Sequence, residues 1–197
     1  MKLIFATNND HKAAEIRHTI GDRFQILTLR EAGIFQDIPE PYDTLEANAT
    51  EKSVTIYRLT KTNCFSEDSG LETEALQGEP GVLSARYAGD GRSSDDNMDL
   101  LLDNLNGQSN RRARFRTIIS LIIDGHEHQF EGVCPGIIAE SRMGSGGFGY
   151  DPIFIPDGSV KTFGEMDLSE KDQYSHRAKA TAKLVTFLNN LTPKPGN

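Results

Sequence analysis

The chain has 197 residues, of which 37% are hydrophobic and 25% charged, and this composition predicts one globular, soluble domain with a substantial core. Its formal net charge of −8 disfavours non-specific binding to DNA or RNA, because such binding depends on neutralising phosphates. Two well-separated cysteines, an N-terminus that turns polar at Thr7 and no apolar run near ~20 residues argue against a zinc motif, a secretory signal and a membrane span, so we expect a cytoplasmic protein.

The hydrophobic pattern predicts helices early and late in the chain, with strands between them. Apolar alternation indicates the clearest strand at residues 112–123, and the Asp124-Gly125 pair after it is a hairpin signal. Helices are predicted where apolar residues recur on one face and a capping residue or a glycine marks an end. In chain order the predicted elements are a strand at 3–6, a helix through Ala13, Ile16 and Ile20 that stops at Gly21, a helix from Asp43 or Thr44 to about Leu59, a strand at 64–66 ending in a turn at 67–70, a helix at 94–105, strands at 112–123, at 126–133 and near 136–140, and a helix at 175–191.

This order of elements predicts an α/β fold built on a mixed sheet that is flanked by helices. The hairpins between the helical regions argue against an all-parallel sheet. We expect residues 1–191 to form a single domain, because no linker or repeat divides them. Residues 192–197 are predicted to be a disordered tail.

Residues 144–152 are the most informative segment and read Gly-Ser-Gly-Gly-Phe-Gly-Tyr-Asp-Pro. Glycines let a ligand approach the backbone closely, and a ring such as Phe148 can stack on a base, worth roughly 1–3 kcal/mol. The segment matches G-x-G-x-x-G, but a turn and a strand follow it where a dinucleotide fingerprint needs a helix. Two interpretations stay open, a nucleotide pocket and a glycine-rich hairpin whose rings fill the core.

Residues 7–12, Thr-Asn-Asn-Asp-His-Lys, form the second notable segment. They follow a predicted buried strand and open a helix, where exposed N–H groups favour an anion. Thr7 and Asn9 can donate hydrogen bonds to phosphate oxygens, and Lys12 supplies positive charge. An ordinary helix N-cap with a solvated lysine explains the same pattern, and the chain contains no P-loop motif.

Acidic and basic residues elsewhere in the chain suggest a Mg²⁺ site that also binds the phosphates of a substrate. Glu40, Glu67 and Asp68 are candidates because Mg²⁺ prefers oxygen and is held by one or two carboxylates plus substrate phosphates. Asp68, predicted in a tight turn, can hold metal or take a proton from water; an exposed acidic turn is the alternative. Lys52 lies on the apolar side of its helix, a costly position unless it is paired or snorkels. The guanidinium of Arg177 suits a purine carbonyl or a phosphate.

Taken together, these motifs resemble the inosine triphosphate pyrophosphatase family, which hydrolyses inosine, deoxyinosine and xanthosine triphosphates. The resemblance runs from Leu3 to about Leu188. It implies an elongated mixed sheet with flanking helices, two lobes with a central cleft, Mg²⁺ as cofactor and a homodimer. The motifs that carry the resemblance are residues 7–12, Glu40, Asn48 with Lys52, residues 67–71, Gly81 with residues 84–87, residues 146–152 and residues 175–177.

The resemblance also implies a role for each matching residue. Asp68 would be the catalytic acid–base group and a metal ligand, with Glu40 and Glu67 as further metal ligands. The chain departs from the family in three places: Glu67-Asp68 replaces two adjacent aspartates, Pro41-Tyr42 follows Glu40 where Thr-Gly is usual, and Ala47 replaces a common glutamate before Asn48. The substrate contacts that the resemblance implies are Thr7, Asn8, Asn9, Asp10, His11, Lys12, Lys52, Ser69, Phe148, Gly149, Tyr150, Asp151, Lys171, His176 and Arg177.

The implied activity is attack of water on the α-phosphorus of dITP, ITP or XTP, which releases the monophosphate and pyrophosphate and cleanses the nucleotide pool. Mg²⁺ and the lysines would stabilise charge on the transferring group, and hydrogen bonds to the 6-keto oxygen would select the base. Three rival hypotheses stay open. They are a pyrophosphatase of the related septum-inhibition type acting on pyrimidine or modified nucleotides, a non-catalytic nucleotide sensor, and a structural interaction protein.

Overall fold

The computed structural model describes residues 1–36 and 38–191, so the predicted tail at 192–197 lies outside the described residues. Within the described ranges the chain forms seven strands, five α-helices and several short 3-10 helices. The strands are β1 (Lys2–Phe5), β2 (Gln25–Thr28), β3 (Cys64–Thr73), β4 (Pro80–Gly81), β5 (Arg112–Ile123), β6 (His126–Ile138) and β7 (Phe154–Pro156). The α-helices are α1 (Asp10–Ile20), α2 (Leu45–Thr60), α3 (Ser94–Asn104), α4 (Leu168–Asp172) and α5 (His176–Leu191).

All seven strands belong to one mixed sheet. Its order is β2-β1-β3-β5-β6-β7, with β4 paired to β3 away from this path. β1 runs parallel to both β2 and β3, and Phe5 lies opposite Thr28 on one side and Phe65 on the other. The β3–β4 and β6–β7 pairs are antiparallel. The predicted mixed sheet with flanking helices is therefore confirmed.

Local capping chemistry explains where the first two helices begin and end. The Asn9 side chain accepts a hydrogen bond from the backbone N–H of Lys12 and caps α1, which ends at Gly21 with φ of 66°. Thr44 caps α2 by accepting from the backbone N–H of Ala47 at 3.2 Å. These bonds satisfy donors that a helix start leaves without an intrahelical partner. The predicted stop at Gly21 and the predicted cap at Thr44 are both confirmed.

Two strand boundaries differ from the prediction. β3 continues to Thr73, so residues 67–70 lie inside a strand and not in a turn. β6 is one strand through residue 138, where the sequence pattern predicts two shorter strands at 126–133 and near 136–140. Acidic residues, glycine and proline are depleted in strands, and here tertiary pairing overrides that preference. β2, β4 and α4 are elements that the sequence pattern did not predict.

The described chain divides into two compact units, and each has its own core. Unit 1 consists of the described residues in the ranges Met1–Asp68, Ile118–Gly132 and Arg177–Asn197, and unit 2 consists of Ser69–Thr117 and Val133–His176. The single-domain expectation for residues 1–191 stays a prediction. None of the described helices is long and apolar enough to cross a membrane.

Alternation along β1 builds the core of unit 1. Leu3 and Phe5 join one apolar cluster that includes Ile16 of α1 and Leu184 of α5. Ile4, whose side chain points to the opposite face of the sheet, joins a second cluster together with residues of α2 and β3. The rings of Phe5 and Phe65 stack with centroids 4.5 Å apart. In unit 1, apolar side chains therefore pack against both faces of β1.

The core of unit 2 is rich in aromatic rings. Phe115 of β5 contacts Phe154 of β7 edge-on at 4.6 Å and stacks on Phe163 at 6.2 Å between centroids. Leu101 of α3 and Ile138 of β6 belong to the same cluster. These residues support the glycine-rich segment, since Tyr150 and Ile153 also belong to this cluster.

Candidate active site

Strand β3 is attached to helix α2 by side chains at alternate positions. Cys64 Sγ donates to the backbone oxygen of Ser53 at 3.3 Å, and Ser66 Oγ donates to that of Ala49 at 2.5 Å. Because strand side chains alternate between faces, the next residue on this face is Asp68. The two anchors therefore set the position of Asp68 relative to α2.

Asp68, Lys52 and Glu40 form the first charged cluster. Lys52 Nζ lies 3.1 Å from Asp68 Oδ1 and 2.5 Å from Glu40 Oε1. The Asn48 side chain exchanges two 2.9 Å hydrogen bonds with the backbone of Tyr42, and these hold the loop that carries Glu40. Of the two alternatives for Lys52, pairing and snorkelling, the structure shows pairing, which explains how a lysine is accommodated on the apolar face of α2 with its side chain only 8% exposed.

Burial and neighbouring charges act in opposite directions on this cluster. Burial alone would lower the pKa of Lys52, but Asp68 and Glu40 outweigh it and leave the pKa raised, so the ammonium stays charged. Burial raises the pKa of Asp68, and the charges of Lys52 and Lys12 offset only part of that effect. A carboxylate with a raised pKa is a better proton acceptor than an exposed aspartate.

Lys12, Glu67, Arg177 and Glu15 form the second charged cluster. Glu67 Oε1 lies 2.6 Å from Lys12 Nζ and 3.2 Å from Arg177 Nη2, and its Oε2 accepts from Arg177 Nε at 2.6 Å. Arg177 also donates through Nη1 to Glu15. Burial would raise the pKa of Glu67, but the charges of Arg177 and Lys12 outweigh it and hold the pKa well below its usual range. Glu67 is therefore an anionic bridge between two cations.

The N-terminal segment shows mainly capping geometry. Thr7 Oγ1 accepts from the backbone N–H of Asn9 at 3.1 Å, and Asn9 in turn caps α1. The ordinary N-cap interpretation of this segment is thus confirmed for Asn9. Asn8, Asp10 and His11 are exposed, and Lys12 is partly exposed.

Unit 2 contains a cation that is held between an acid and two rings. Lys171 Nζ lies 2.6 Å from Asp151 Oδ2 and 5.2 Å from the ring centroids of both Phe148 and Phe163. Asp151 Oδ2 also accepts from the backbone N–H of Phe148 at 2.9 Å. Gly147 has φ of 73°, and a side chain there would collide with the Asp151 carboxylate. Asp151 therefore links the backbone of the glycine-rich segment to Lys171, next to the ring of Phe148.

The other predicted substrate contacts in unit 2 have defined surroundings. His176 stacks on Phe115 with centroids 4.6 Å apart and an interplanar angle of 8°. Ser69 Oγ is hydrogen-bonded to Thr117 Oγ1 at 2.5 Å. Tyr150 is buried, and its hydroxyl donates to a backbone oxygen at 2.9 Å. Gly149 adopts positive φ of 63°.

Sequence reasoning missed several residues that the structure places at these clusters. Glu15 had a usable signal, since it lies one helical turn after Lys12 and next to the apolar Ile16. Thr117 is a polar residue on the otherwise apolar face of β5 and is a partner of Ser69. Phe163 had no motif around it, and only the tertiary structure brings its ring to Lys171.

Two of the three predicted metal ligands fit a shared Mg²⁺. Glu40 and Asp68 both contact one ammonium group, so their oxygens converge on a single cationic position. In the described part of the chain, no group of three or more His, Cys, Asp or Glu side chains forms a metal-ligand set. Two carboxylates are sufficient for Mg²⁺, which usually takes further ligands from water and substrate phosphates. Both oxygens of Glu67 are occupied by cations instead.

Comparisons with known proteins show which family the chain resembles. The sequence model of the Ham1 family matches residues 3–187. The chain is 45% identical over 190 residues to a dITP/XTP pyrophosphatase of Flavobacterium psychrophilum, covering 96% of this chain and 100% of that protein. It is 50% identical over 188 residues to one of Porphyromonas gingivalis, covering 95% and 97%.

Two solved structures have the same fold as this chain. The Ham1 protein of Staphylococcus aureus matches with a TM-score of 0.88 at 35% identity, covering 98% of this chain and 100% of that one. The HAM1 protein of Coxiella burnetii matches with the same TM-score at 33% identity, covering 96% and 99%. The resemblance drawn from the sequence motifs is confirmed, and the chain belongs to the Ham1 family.

Proposed function

We propose that this protein hydrolyses the noncanonical purine nucleoside triphosphates dITP, ITP and XTP to the monophosphate and pyrophosphate, and so cleanses the nucleotide pool. The observation that carries the proposal is the cluster of buried Asp68 and Lys52 with the partly exposed Glu40, which supplies a proton acceptor, a cation and two converging carboxylates. The names and high identity of the relatives, dITP/XTP pyrophosphatases, support the choice of substrate.

In this proposal Asp68 is the general base. The oxygen of a water molecule forms a bond to the α-phosphorus, the bond from the α-phosphorus to the bridging oxygen breaks, and pyrophosphate leaves. The proton of the water passes to Asp68, whose burial raises its pKa and so favours proton uptake. Bound Mg²⁺ supplies charge neutralisation at the transferring phosphoryl group, and Glu40 and Asp68 would hold it.

The triphosphate is assigned to two lysines, Lys12 and Lys52. Lys12 is the accessible one, since 21% of its side chain is exposed and it follows the capped start of α1. Lys52 is more buried and lies beside the proposed base. Backbone N–H groups at the start of α1 add favourable potential for an anion. Asn8, Asp10 and His11 are the exposed side chains of this segment that the proposal places near phosphate.

The base is assigned to the ring of Phe148 and the ion pair of Lys171 with Asp151. Phe148 provides a face for stacking, and the neighbouring Lys171 is a donor that suits the 6-keto oxygen of hypoxanthine or xanthine. Adenine presents an amino group at that position, so a donor would meet a donor. An unsatisfied buried donor costs about 1–3 kcal/mol, which is roughly tenfold or more in discrimination.

The proposal includes Mg²⁺ as cofactor, a homodimer and a cytoplasmic location. The acidic pair of Glu40 and Asp68 supports the cofactor, and the family resemblance supports the dimer. Nucleotide pools in the cytoplasm are where such an activity is needed. Size-exclusion chromatography with light scattering measures the dimer directly, and a monomeric mass at micromolar concentration would contradict it.

The decisive experiment is pyrophosphate release across a panel of triphosphates, with Mg²⁺ or with EDTA. We expect dITP, ITP and XTP to be hydrolysed with Mg²⁺, dATP and dTTP to be poor substrates, and EDTA to abolish release. Preference for dTTP or dUTP would favour the septum-inhibition type of pyrophosphatase instead. Binding of ITP without any release of pyrophosphate in Mg²⁺ would favour a nucleotide sensor.

A further inference from the structure

We propose that Glu67 is a positioning residue that aligns Lys12 and Arg177 for the nucleotide, and that it does not bind the metal. The proposal rests on the proposed function, because it assigns a part of the same site. It concerns a position where this chain carries glutamate directly before the proposed general base.

The direction of the Glu67 side chain is the first argument. Successive residues of a strand point to opposite faces of the sheet. Asp68 points with Ser66 toward α2, where Lys52 lies. Glu67 points with Phe65 to the other face, where Phe65 packs in the cluster of α1 and α5 and Glu67 meets Lys12. Glu67 is therefore directed away from the oxygens that would share a metal.

The occupancy of its oxygens is the second argument. The Glu67 side chain is 1% exposed, and both of its oxygens already lie within hydrogen-bond distance of a cation. A metal ligand would have to give up these charge-assisted contacts, which are the strong kind of protein hydrogen bond. Glu40 and Asp68 share one cation, Lys52, and it lies on the face of β3 opposite to Glu67.

The order of charges shows what Glu67 holds in place. Lys12, Glu67, Arg177 and Glu15 alternate in sign, so each inner group lies between two opposite charges. Arg177 keeps Glu15 as a partner if Glu67 is neutralised. Lys12 has no other carboxylate at ion-pair distance among the described residues. Neutralising Glu67 is therefore expected to change the position of Lys12 more than that of Arg177. Lys12 is the partly exposed cation assigned to the triphosphate.

Side-chain length explains why glutamate and its charge are both needed. The carboxylate reaches Lys12 through one oxygen and the guanidinium of Arg177 through both. Glu67→Asp keeps the charge and shortens the side chain by one methylene, so it cannot span both cations at these distances. Glu67→Gln keeps the length and removes the charge. Both variants are expected to misplace Lys12.

Two measurements on the full-length protein separate positioning from metal binding. The first is KM and kcat for dITP at saturating Mg²⁺, and the second is the affinity for Mn²⁺ without nucleotide, measured by electron paramagnetic resonance. For Glu67→Gln and Glu67→Asp we expect KM to rise about tenfold or more, since charged contacts to the substrate are lost. We expect kcat to change much less and Mn²⁺ affinity to stay within about twofold of the unmodified protein.

Glu72→Gln is the matched control. Glu72 lies on the same strand and also bridges two cations, accepting from Arg114 Nε at 2.6 Å and from Arg116 Nη1 at 3.3 Å. It takes no part in the proposed site, so both KM and Mn²⁺ affinity should match those of the unmodified protein. Asp68→Asn serves as the opposite control and should weaken Mn²⁺ binding.

Two results would overturn the proposal. One is a loss of Mn²⁺ affinity in Glu67→Gln as large as that in Asp68→Asn, which would make Glu67 a metal ligand. The other is a KM for dITP that does not change. Circular dichroism checks folding, and Glu67→Asp carries the test if the glutamine variant does not fold. Failure of the unmodified protein to release pyrophosphate would refute the proposed function, whereas the Mn²⁺ result would still decide whether Glu67 binds metal.

Discussion

Asp68 lies within strand β3 and is almost fully buried, yet it keeps an ion pair with Lys52. Asp68→Asn preserves the shape of the side chain and removes its ability to accept a proton as a base. We therefore expect a folded protein that loses at least about 100-fold in kcat, the usual contribution of a general base. Pyrophosphate release measures the rate and thermal unfolding checks the fold. Near-normal turnover would show that another group takes the proton.

Lys171 neutralises a buried carboxylate in unit 2. Lys171→Met removes the cation from Asp151 and from two rings, while the backbone N–H of Phe148 still donates to Asp151. Breaking a buried pair on one side costs about 3–5 kcal/mol. We expect urea unfolding to show a loss of that size, and Asp151→Asn added to Lys171→Met should recover part of it.

Lys183→Met is the comparison for this loss. Lys183 is exposed and donates to the backbone oxygen of Glu131 at 2.7 Å. Its removal should cost less than about 1 kcal/mol, as is usual for exposed polar contacts. Equal losses from the two lysines would mean that burial of the Lys171–Asp151 pair has no energetic role.

At the scale of secondary-structure elements, strand β3 shows where sequence patterns lose information. Residues 67–70 contain two acids, a serine and a glycine, and this composition predicts a turn. In the structure these residues continue the strand, and Leu71 pairs with Gly81 of β4. Gly70 is needed there, because a side chain on it would collide with the backbone of Gly81. The polar residues are functional candidates placed on a buried strand against local preference.

The turn after β2 gives a pH-dependent prediction at the same scale. Glu31 Oε2 accepts from the backbone N–H of Thr28 at 2.8 Å and from Arg17 Nη2 at 2.5 Å. These bonds, that of Thr28 first, lower the pKa of Glu31 below its ordinary value of 4.5. A carboxylate with a lowered folded-state pKa contributes stability that is fully present above the unfolded pKa. That stability is lost as pH falls through the folded pKa.

We therefore expect Glu31→Gln to be slightly less stable than the unmodified protein at pH 7. The difference should stay below about 1 kcal/mol because the pair is exposed, and it should shrink as pH falls below about 4.5. Urea unfolding at several pH values measures it. Glu140→Gln, which removes a carboxylate at another exposed position, is the matched variant for comparison. A difference that grew at low pH would contradict the assigned direction.

At the scale of the whole molecule, charge sets which polyanions the protein can bind. The net charge of −8 should repel nucleic acids, whereas a single nucleotide needs only a few local cations. We expect no binding of single- or double-stranded DNA in fluorescence anisotropy at about 0.15 M salt. Micromolar affinity that weakens steeply with added salt would contradict this prediction and point to a basic surface.

The class of fold and most of the local structure follow from patterns in the amino-acid sequence. Hydrophobic periodicity and capping residues located α1, α2, α3, α5 and β5, because these signals depend on neighbours in sequence. The motifs at residues 7–12 and 144–152 also identified the family, since long ordered matches carry chemical detail that composition does not.

Which charged groups contact one another depends on how the chain packs. Glu67 and Asp68 are adjacent in sequence, but alternation along β3 sends one to Lys12 and Arg177 and the other to Lys52 and Glu40. Because the sequence pattern predicts a turn at residues 67–70, it does not predict that Glu67 and Asp68 point to opposite faces of a sheet. Partners more than 100 residues apart, such as Glu67 and Arg177, are brought together by packing, and packing depends on contacts that no local pattern records.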